Sequence, residues 1–249
     1  TGSGLLAMMA ARAGAAHVYA CEAEPLIAAK ARDIVAKNGL SERITVIAKK
    51  STDLRVGDDL PVKADVLLSE IVDVELLGEG IIGTLDHALA ELAVDDARII
   101  PSAGAVYGMM VESEELYRQD RVHDVLGFDL GAFNEFSYFG RFTTDIRRYS
   151  HEVLSAPVEL FRFDFTRRGI CPETRRVDFQ TVRAGICHGT VMWFELILDN
   201  ERRIDASPVS GGSHWMQMVQ LLEHPRAVAM GQTVSVETSH DRHHVYMSL

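Results

Sequence analysis

The hydrophobic pattern of this chain changes once, near Pro101, and this change restricts the possible folds more than any other feature. Before it, short apolar runs alternate with stretches of helical period; after it, apolar residues mostly recur at every second position. Strands that alternate with helices are typical of a parallel sheet covered by helices on both faces. We therefore predict an α/β domain over residues 1–100 and a β-rich domain over residues 101–249.

Apolar runs and breaker residues predict where the individual elements lie. Helices are expected over 5–13, 25–37 and 81–92, and strands over 18–21, 44–48, 64–68, 97–100, 105–111, 158–165, 190–198 and 233–237. Asn38-Gly39 is a stop signal for the second helix. The run over 64–68 is expected to be a buried strand, because unbroken apolar runs are typical of parallel sheets with both faces covered.

Residues 113–148 interrupt the strand pattern of the β-rich domain. A polar helical start is followed by Gly127-Phe128-Asp129-Leu130 and by a group of aromatic residues: Phe133, Phe136, Tyr138, Phe139 and Phe142. An insertion this apolar is not typical of a solvated loop. We expect this segment, called the arm below, to pack against another surface.

Composition excludes several classes of partner. The formal net charge is -11, which disfavours non-specific nucleic-acid binding and favours cationic ligands. The three cysteines are far apart and form no Cys-x-x-Cys pair, so neither a disulfide framework nor a zinc site is predicted. Unpaired cysteines indicate a reducing, cytoplasmic compartment. No apolar run approaches the roughly 18 residues that a membrane-spanning helix needs, and no signal peptide is expected.

Acidic residues crowd the loop that follows the strand predicted over 64–68. Glu70 closes the strand and Glu79 lies nine positions later, just before the next helix. Open α/β sheets bind ligands at the carboxyl ends of their strands. Two carboxylates there suit one guanidinium, which each can bind through parallel hydrogen bonds, so the loop favours arginine as the ligand.

A solvated acidic loop is the commoner explanation of such a charge run. Against it, apolar residues interleave the acids: Ile71, Val72, Val74, Leu76 and Leu77. Apolar neighbours would desolvate the carboxylates, which is costly unless a cation binds.

A second candidate site lies at the start of the chain. Gly2-Ser3-Gly4 precedes a helix, and Glu22 ends the next strand about twenty residues later. Glycines at a strand-to-helix turn let backbone amides approach a cofactor, and an acid at that distance can accept both hydroxyls of a ribose. The pair favours an adenosine-type cofactor over the alternative of a plain tight turn.

A histidine and a tryptophan follow the glycines Gly211-Gly212. His214 is a candidate proton acceptor and Trp215 a candidate wall for a flat group, although a capped β-turn with a core tryptophan is the favoured explanation of the pair in isolation. The histidines at 240, 243 and 244 lie in a segment of strand and turn, so no metal site is expected there.

These motifs, in this order, resemble the protein arginine N-methyltransferases over essentially the whole chain. The matching segments are Gly2-Ser3-Gly4-Leu5-Leu6, Glu22, the stretch from Ser69-Glu70 to Glu79, Pro101 at the domain join, Gly127-Phe128-Asp129 in the arm, and Ser213-His214-Trp215-Met216-Gln217. The acidic loop is most similar to the branch of the family that stops at monomethylarginine (type III), which also carries the acids Asp73 and Glu75 and the sequence Gly78-Glu79-Gly80.

The resemblance implies a class I methyltransferase fold, in which a Rossmann-like parallel sheet is followed by a β-barrel-like substrate domain with a helical dimerisation arm. It implies S-adenosyl-L-methionine as cofactor, an arginine-containing protein or peptide as substrate, and a homodimer formed through the arm, with no nucleic-acid or membrane partner. The residues it implicates are Glu70, Glu79 and His214 in catalysis, Gly2, Gly4, Glu22, Ser51 and Thr52 in cofactor binding, and Glu75 and Trp215 in substrate binding.

The chain also departs from the family pattern. Val72-Asp73-Val74 replaces the usual Met-Gly-Tyr, and Thr52 lies where the family carries an adenine-contacting glutamate. The family's lid helices, first strand and first motif glycine would all precede Thr1, so we expect a truncated chain. Two other functions stay open: a class I methyltransferase acting on a different nucleophile, and a catalytically silent scaffold of the same fold.

Overall fold

A computed structural model of the chain describes residues 1–119, 121–136, 140–210 and 213–248. Tyr138, Phe139, Gly211 and Gly212, which the sequence singled out, lie outside the described residues. The chain forms two units: unit 1 comprises Thr1–Ser69, Gly83–Ile100 and Thr166–Gly169, and unit 2 comprises Glu70–Ile82, Pro101–Phe165 and Ile170–Leu249. Residues 70–82, predicted to belong to the first domain, are thus part of unit 2.

The α/β pattern up to Ile100 contains three α-helices and four strands in the described residues. In chain order they are α1 (Leu5–Arg12), β1 (Val18–Cys21), α2 (Pro25–Lys37), β2 (Ile44–Ile47), β3 (Ala64–Leu68), α3 (Ile81–His87) and β4 (Ala93–Ile100). A short 3-10 turn covers Ser51–Asp53, and a π-helical segment, Ala88–Leu92, extends α3 to the predicted end of that helix.

Parallel pairing in unit 1 agrees with the sequence. β1 pairs with β2 in parallel, with Cys21 opposite Ile47, and β3 pairs with β4 in parallel. Helix α2 begins at Pro25, where the side chain of Glu24 caps the N–H of Leu26, and stops before Gly39, whose φ is 68°. Alanines let this helix approach the sheet closely: Ala28 and Ala31 are fully buried against a core that includes Ile44 and Val46.

Strand β3 differs from its expected burial. Val66 is 48% exposed and Leu68 is 42% exposed, whereas Leu67 packs against a buried cluster containing Leu54 and Leu92. Successive strand residues point to opposite faces, so only one face of β3 is covered within the described part of the chain. The prediction of a fully buried strand was wrong.

Unit 2 consists mainly of antiparallel strands. They are β5 (Ala103–Glu112), β6 (Asp124–Val125), β7 (Phe128–Asp129), β8 (Arg141–Thr144), β9 (Glu152–Val153), β10 (Val158–Asp164), β11 (Glu173–Gln180), β12 (Gly185–Ile197), β13 (Arg203–Asp205), β14 (Gln217–Val228), β15 (Thr233–His240) and β16 (Val245–Ser248). One sheet has the order β10-β5-β12-β14-β8, with β9 paired to β5 and β13 to β12, and a second has the order β11-β15-β16.

The two sheets of unit 2 share a buried aromatic contact. The imidazole of His240, on β15, meets the rings of Phe161 and Phe163, on β10, edge to face, with centroids 4.7 and 5.0 Å apart. Apart from the short hairpin of β6 and β7, the described strands of unit 2 therefore form two packed antiparallel sheets rather than one closed barrel.

The arm begins at a buried anchor and carries exposed apolar residues further on. The N–H of Ser113 donates to Nδ1 of His188 at 3.2 Å, and Glu114 opens the six-residue helix α4 (Glu114–Gln119). Beyond the helix, Leu126 is 93% exposed, Phe128 70% and Phe136 84%. Large apolar side chains with this exposure are thus grouped on one segment of the arm. Within the described residues, no helix combines the length and apolarity that a membrane crossing requires.

Candidate active site

The predicted cofactor residues of unit 1 gather at the carboxyl edge of the β1–β2 pair. Glu22 follows β1 directly, and the 3-10 turn containing Ser51 and Thr52 follows β2 after a short connection. Because the strands are parallel and adjacent, both segments leave the sheet at the same edge. Ser51, Thr52 and Glu22 are half-buried there.

The carboxylate of Glu22 is fixed by backbone donors. The N–H of Gly2 donates to its Oε2 at 2.9 Å, and the N–H of Glu24 donates to its Oε1 at 3.1 Å. The hydrogen bond from the N–H of Glu24 above all, with that from the N–H of Gly2, lowers the pKa of Glu22 well below its usual range. Glu22 is therefore ionised at neutral pH, and a carboxylate has enough lone pairs to accept further hydrogen bonds from a ligand.

The two glycines of the first turn hold a backbone shape that other residues rarely adopt. Gly2 has φ 52° and Gly4 has φ 82°, in the left-handed region. A Cβ on Gly4 would also lie 3.5 Å from Cγ2 of Val35, so this turn packs closely on α2. The turn places the N–H of Gly2 on Glu22, which brings three of the predicted cofactor residues together.

The loop over residues 70–80, called the acidic loop below, is organised around Asp73. Its Oδ1 accepts from the N–H of Glu75 and the N–H of Gly78, both at 3.0 Å. A Cβ on Gly78 would collide with the same carboxylate, which would have to move away. The apolar residues of the loop point into the core of unit 2: Leu76 and Leu77 are fully buried and Val72 is 4% exposed.

Glu70 and Glu79 are both exposed on the acidic loop. The pKa of Glu79 is raised, first by partial burial and then by the negative charges of Glu70 and Asp73. The two predicted catalytic acids therefore act on each other electrostatically. The interleaved apolar residues do not cover them as the sequence had indicated, because those residues face the core instead.

Glu75 has a different environment from the other acids of the loop. It is 6% exposed, and its carboxylate forms an ion pair with Arg141 and accepts from the N–H of Val245 at 3.1 Å. Nδ1 of His244 lies 3.5 Å from the same carboxylate. All of these partners belong to unit 2 itself, whereas the sequence had suggested that Glu75 binds substrate.

The His-Trp turn, residues 213–217, is held by a buried amide. Nε2 of Gln217 donates to the carbonyl of Trp215 at 3.2 Å and to that of Ala206 at 3.3 Å. The ring of Trp215 meets that of Phe194 edge to face, with centroids 5.3 Å apart, and the imidazole of His214 lies 4.1 Å from the Trp215 ring. This leaves Trp215 half-buried and His214 exposed.

Sequence reasoning did not predict the structural roles of three residues that shape these sites. Asp73 and Gln217 brace the acidic loop and the His-Trp turn through hydrogen bonds to the backbone, and Arg141 pairs with Glu75. The Asp73-to-Gly78 spacing carried a usable signal, because an aspartate that caps nearby N–H groups is typical of a tight turn. The pairing of Arg141 with Glu75 spans 66 positions, and no local pattern indicates it.

Comparison with known proteins identifies the family. A family model described as "Arginine methyltransferase oligomerization subdomain" matches residues 102–248. The chain belongs to the arginine methyltransferase family. A second model, described as "Ribosomal protein L11 methyltransferase (PrmA)", matches residues 1–113.

Individual relatives agree with this membership. The chain is 37% identical over 236 residues to an arginine N(omega)-methyltransferase of Streptomyces achromogenes subsp. streptozoticus, covering 95% of this chain and 65% of the relative. It is 31% identical over 283 residues to protein arginine N-methyltransferase 7 of Aedes aegypti, covering 97% of this chain and 41% of the relative. The chain thus spans less than two thirds of these relatives, and the second fits the branch predicted from the acidic loop.

A solved structure confirms the fold class. A chain of the Trypanosoma brucei PRMT1 enzyme-prozyme heterotetrameric complex with AdoHcy matches with a TM-score of 0.82, at 24% identity, over 95% of this chain and 75% of that chain. At this identity the likeness concerns the fold. The predicted arrangement of a methyltransferase α/β half followed by a β-rich half is therefore confirmed for this family member.

Metal chemistry finds no support in the side-chain clusters. Across the described ranges, no group of three or more His, Cys, Asp or Glu residues is placed to hold a metal ion. This statement includes the C-terminal histidines, of which His240 is buried among aromatic rings.

Proposed function

We propose that this chain is the catalytic core of an S-adenosylmethionine-dependent protein arginine N-methyltransferase. The observation that carries the proposal is the placement of Glu70 and Glu79, both exposed on the acidic loop; the pKa of Glu79 is raised first by partial burial and then by the negative charges of Glu70 and Asp73. A cation that binds between the two carboxylates relieves their repulsion. A guanidinium suits this position because its N–H groups can donate hydrogen bonds to both carboxylates.

The residues of the β1–β2 edge fit an adenosine cofactor. Glu22 is ionised and oriented by two backbone N–H donors, which prepares it to accept the two hydroxyls of a ribose. Gly2 and Gly4 shape the turn beside it, and Ser51 and Thr52 lie at the end of the neighbouring strand. When bound there, S-adenosylmethionine would supply a methyl group on a positively charged sulfur.

The reaction proposed is a direct displacement. One guanidinium nitrogen forms a bond to the methyl carbon while the carbon–sulfur bond breaks, and the methylated guanidinium then loses one proton. Glu70 and Glu79 bind the other nitrogens, so positive charge concentrates there and the third nitrogen keeps its electron density. Holding the reacting atoms in line can account for roughly 7–11 kcal/mol of the barrier in favourable cases.

His214 and Trp215 are proposed to complete the substrate site. Trp215 is half-buried and braced through Gln217, so its ring offers a fixed wall for a flat group. His214 is exposed beside it and is our candidate for carrying the released proton away. General acid–base help typically contributes about 10²–10⁴-fold, so losing His214 should be less damaging than losing Glu70.

We also propose a homodimer formed through the arm. The exposed apolar side chains of Leu126, Phe128 and Phe136 support it, since such a group is normally covered by a partner. A protein deleted for residues 114–148 should elute as a monomer in size-exclusion chromatography. Elution of that variant as a dimer would refute the role of the arm. A cytoplasmic location stays a prediction from the cysteine content.

A methyltransferase that acts on a different nucleophile is the second candidate, and the match of residues 1–113 to a ribosomal protein L11 methyltransferase model favours it. Mass spectrometry separates the two. The full-length protein would be incubated with labelled S-adenosylmethionine and two peptides that differ by one Arg-to-Lys replacement. We expect label on the arginine peptide, with one methyl group added as in the type III branch. Label on the lysine peptide alone would support the second candidate, and a chain that binds no cofactor would be a silent scaffold.

A further inference from the structure

We infer that Glu75 is a positioning residue, whose buried ion pair with Arg141 holds the acidic loop in the shape that presents Glu79. This inference rests on the proposed function, since it assigns Glu79 to the substrate site. It also replaces the expectation that Glu75 contacts substrate.

The carboxylate of Glu75 is occupied by groups of the protein. Arg141 forms an ion pair with it, and the side chains of Glu75 and Arg141 are only 7% and 16% exposed. The N–H of Val245 donates to Oε2 in a buried hydrogen bond of 3.1 Å. A substrate guanidinium would have to displace Arg141 from this carboxylate, which is unfavourable because a buried charge without its partner is strongly destabilising.

The other polar groups around Glu75 reinforce the same arrangement. The guanidinium of Arg141 lies over the ring of Tyr246, 4.8 Å from its centroid. The hydroxyl of Tyr246 donates to Asp241 at 3.2 Å, and Asp241 accepts from the N–H groups of His243 and His244 at 2.8 and 2.7 Å. Each partner of Glu75 is therefore fixed by a further contact, as a rigid anchor requires.

Backbone contacts link the ion pair of Glu75 to the position of Glu79. The N–H of Glu75 is bound by Asp73, so the residue is held at its main chain as well as at its carboxylate. Leu76 follows with φ 74°, a strained value for leucine, and is fully buried. A Cβ on Gly104 would lie 2.8 Å from Leu76, so Leu76 packs directly on the strand β5. Strained residues persist only where their surroundings fix them. Because Glu79 follows Leu76 by three positions, a fixed Leu76 restricts where Glu79 can lie.

The test uses the full-length protein and the variants Glu75→Gln, Arg141→Gln and their combination, with an arginine peptide and S-adenosylmethionine as substrates. Glu75→Gln keeps the shape of the side chain and an acceptor for Val245 but removes the ion pair. Glu152→Gln is the matched control, because it breaks an ion pair with Arg183 in the same unit whose side chains are more than half exposed.

We expect both single variants to lower kcat by about 10- to 100-fold, with the peptide KM and the cofactor Kd changed by no more than about twofold, since misplacement of a reacting group by about 1 Å can cost a hundredfold. The double variant should be no worse than either single one, because both remove the same interaction. The control should behave as the wild type. A higher KM for Glu75→Gln with no effect of Arg141→Gln would show that Glu75 contacts substrate and would overturn the inference.

Amide hydrogen exchange provides a readout that does not depend on activity. Exchange at Gly78 should be faster in both single variants and unchanged in the control. Unchanged exchange in the variants would overturn the inference even if the wild type methylates arginine. Absence of methylation by the wild type would instead refute the proposed function, while exchange would still decide the role of Glu75. If Glu75→Gln does not fold, Arg141→Lys replaces it. This variant keeps the positive charge but lacks the planar set of N–H donors of the guanidinium. Its kcat should lie between those of the wild type and Arg141→Gln.

Discussion

Gly78 offers a sharp test of how the acidic loop is held. In the variant Gly78→Ala the new Cβ would occupy the position of the Asp73 carboxylate, which must then move away. The movement breaks the hydrogen bonds from the N–H groups of Glu75 and Gly78, both 3.0 Å long. A hydrogen bond to a buried charged group contributes about 1.5–3 kcal/mol, but the exposure of Gly78 lowers each of these two to about 1–1.5 kcal/mol, so we expect a loss of about 2–3 kcal/mol.

Such a loss shifts the balance between the ordered and opened loop by about 30- to 150-fold, because each 1.4 kcal/mol is a factor of ten. Hydrogen exchange of the segment 73–80 should accelerate accordingly, and kcat for arginine methylation should fall. Gly83→Ala is the matched control: a Cβ there meets nothing within 4 Å, and the residue lies inside helix α3. Alanine should stabilise that helix by up to about 1 kcal/mol.

A second substitution tests whether Gly78→Ala acts through its collision with the Asp73 carboxylate. Asp73→Ala removes the carboxylate, so adding Gly78→Ala to it should cause little further damage. Additive effects of the two substitutions, or wild-type exchange in Gly78→Ala alone, would refute the idea that this carboxylate organises the loop.

Other expectations concern single groups. Glu22→Ala should weaken binding of S-adenosylmethionine at least several-fold by calorimetry, and an unchanged affinity would remove Glu22 from the ribose site. Burial lowers the pKa of His240, so this side chain binds a proton more readily in the unfolded chain than in the folded one. Above the unfolded-state pKa of about 6.5 the histidine is neutral in both states, and below that pH the free energy of unfolding should fall. Urea unfolding at pH 5 and 7 should show a smaller difference for His240→Gln than for the wild type, and an equal difference would contradict this assignment. Burial also raises the pKa of the Cys187 thiol to about 11, so iodoacetamide at pH 8 should modify the exposed Cys171 and leave Cys187 intact; rapid modification of Cys187 in the folded protein would show that it is accessible.

Local signals explain which elements could be predicted from the sequence. Helix α2 was predicted at its observed bounds because Pro25 and Asn38-Gly39 mark its two ends. Strand β14 was missed because it contains Pro225, which normally excludes a central strand. The register between β12 and β14 shifts between the pairs Cys187–Arg226 and Gly189–Leu221, and Pro225 lies in this irregular stretch, where a proline can be accommodated.

The residues of the candidate site also differ in whether a local sequence pattern predicts their place. The positions of Glu22 and Glu70 just after β1 and β3, and of Glu79 nine residues after Glu70, could be predicted from the apolar runs and the spacing. The environment of Glu75 depends on Arg141 and Val245, which join it only in the folded chain. Spacing along the sequence therefore located the acidic loop, whereas the distinction between the exposed acids Glu70 and Glu79 and the buried, paired acid Glu75 required the three-dimensional structure.

The most direct test of the central claim compares Glu70→Gln with the wild type in a single-turnover methyl-transfer assay, with cofactor affinity measured by calorimetry on the same samples. Glutamine keeps the size of the side chain and removes the negative charge that we propose binds the guanidinium. We expect normal cofactor affinity and almost complete loss of transfer to an arginine peptide. Transfer by Glu70→Gln at the wild-type rate would contradict the claim that these paired acids bind and orient the guanidinium.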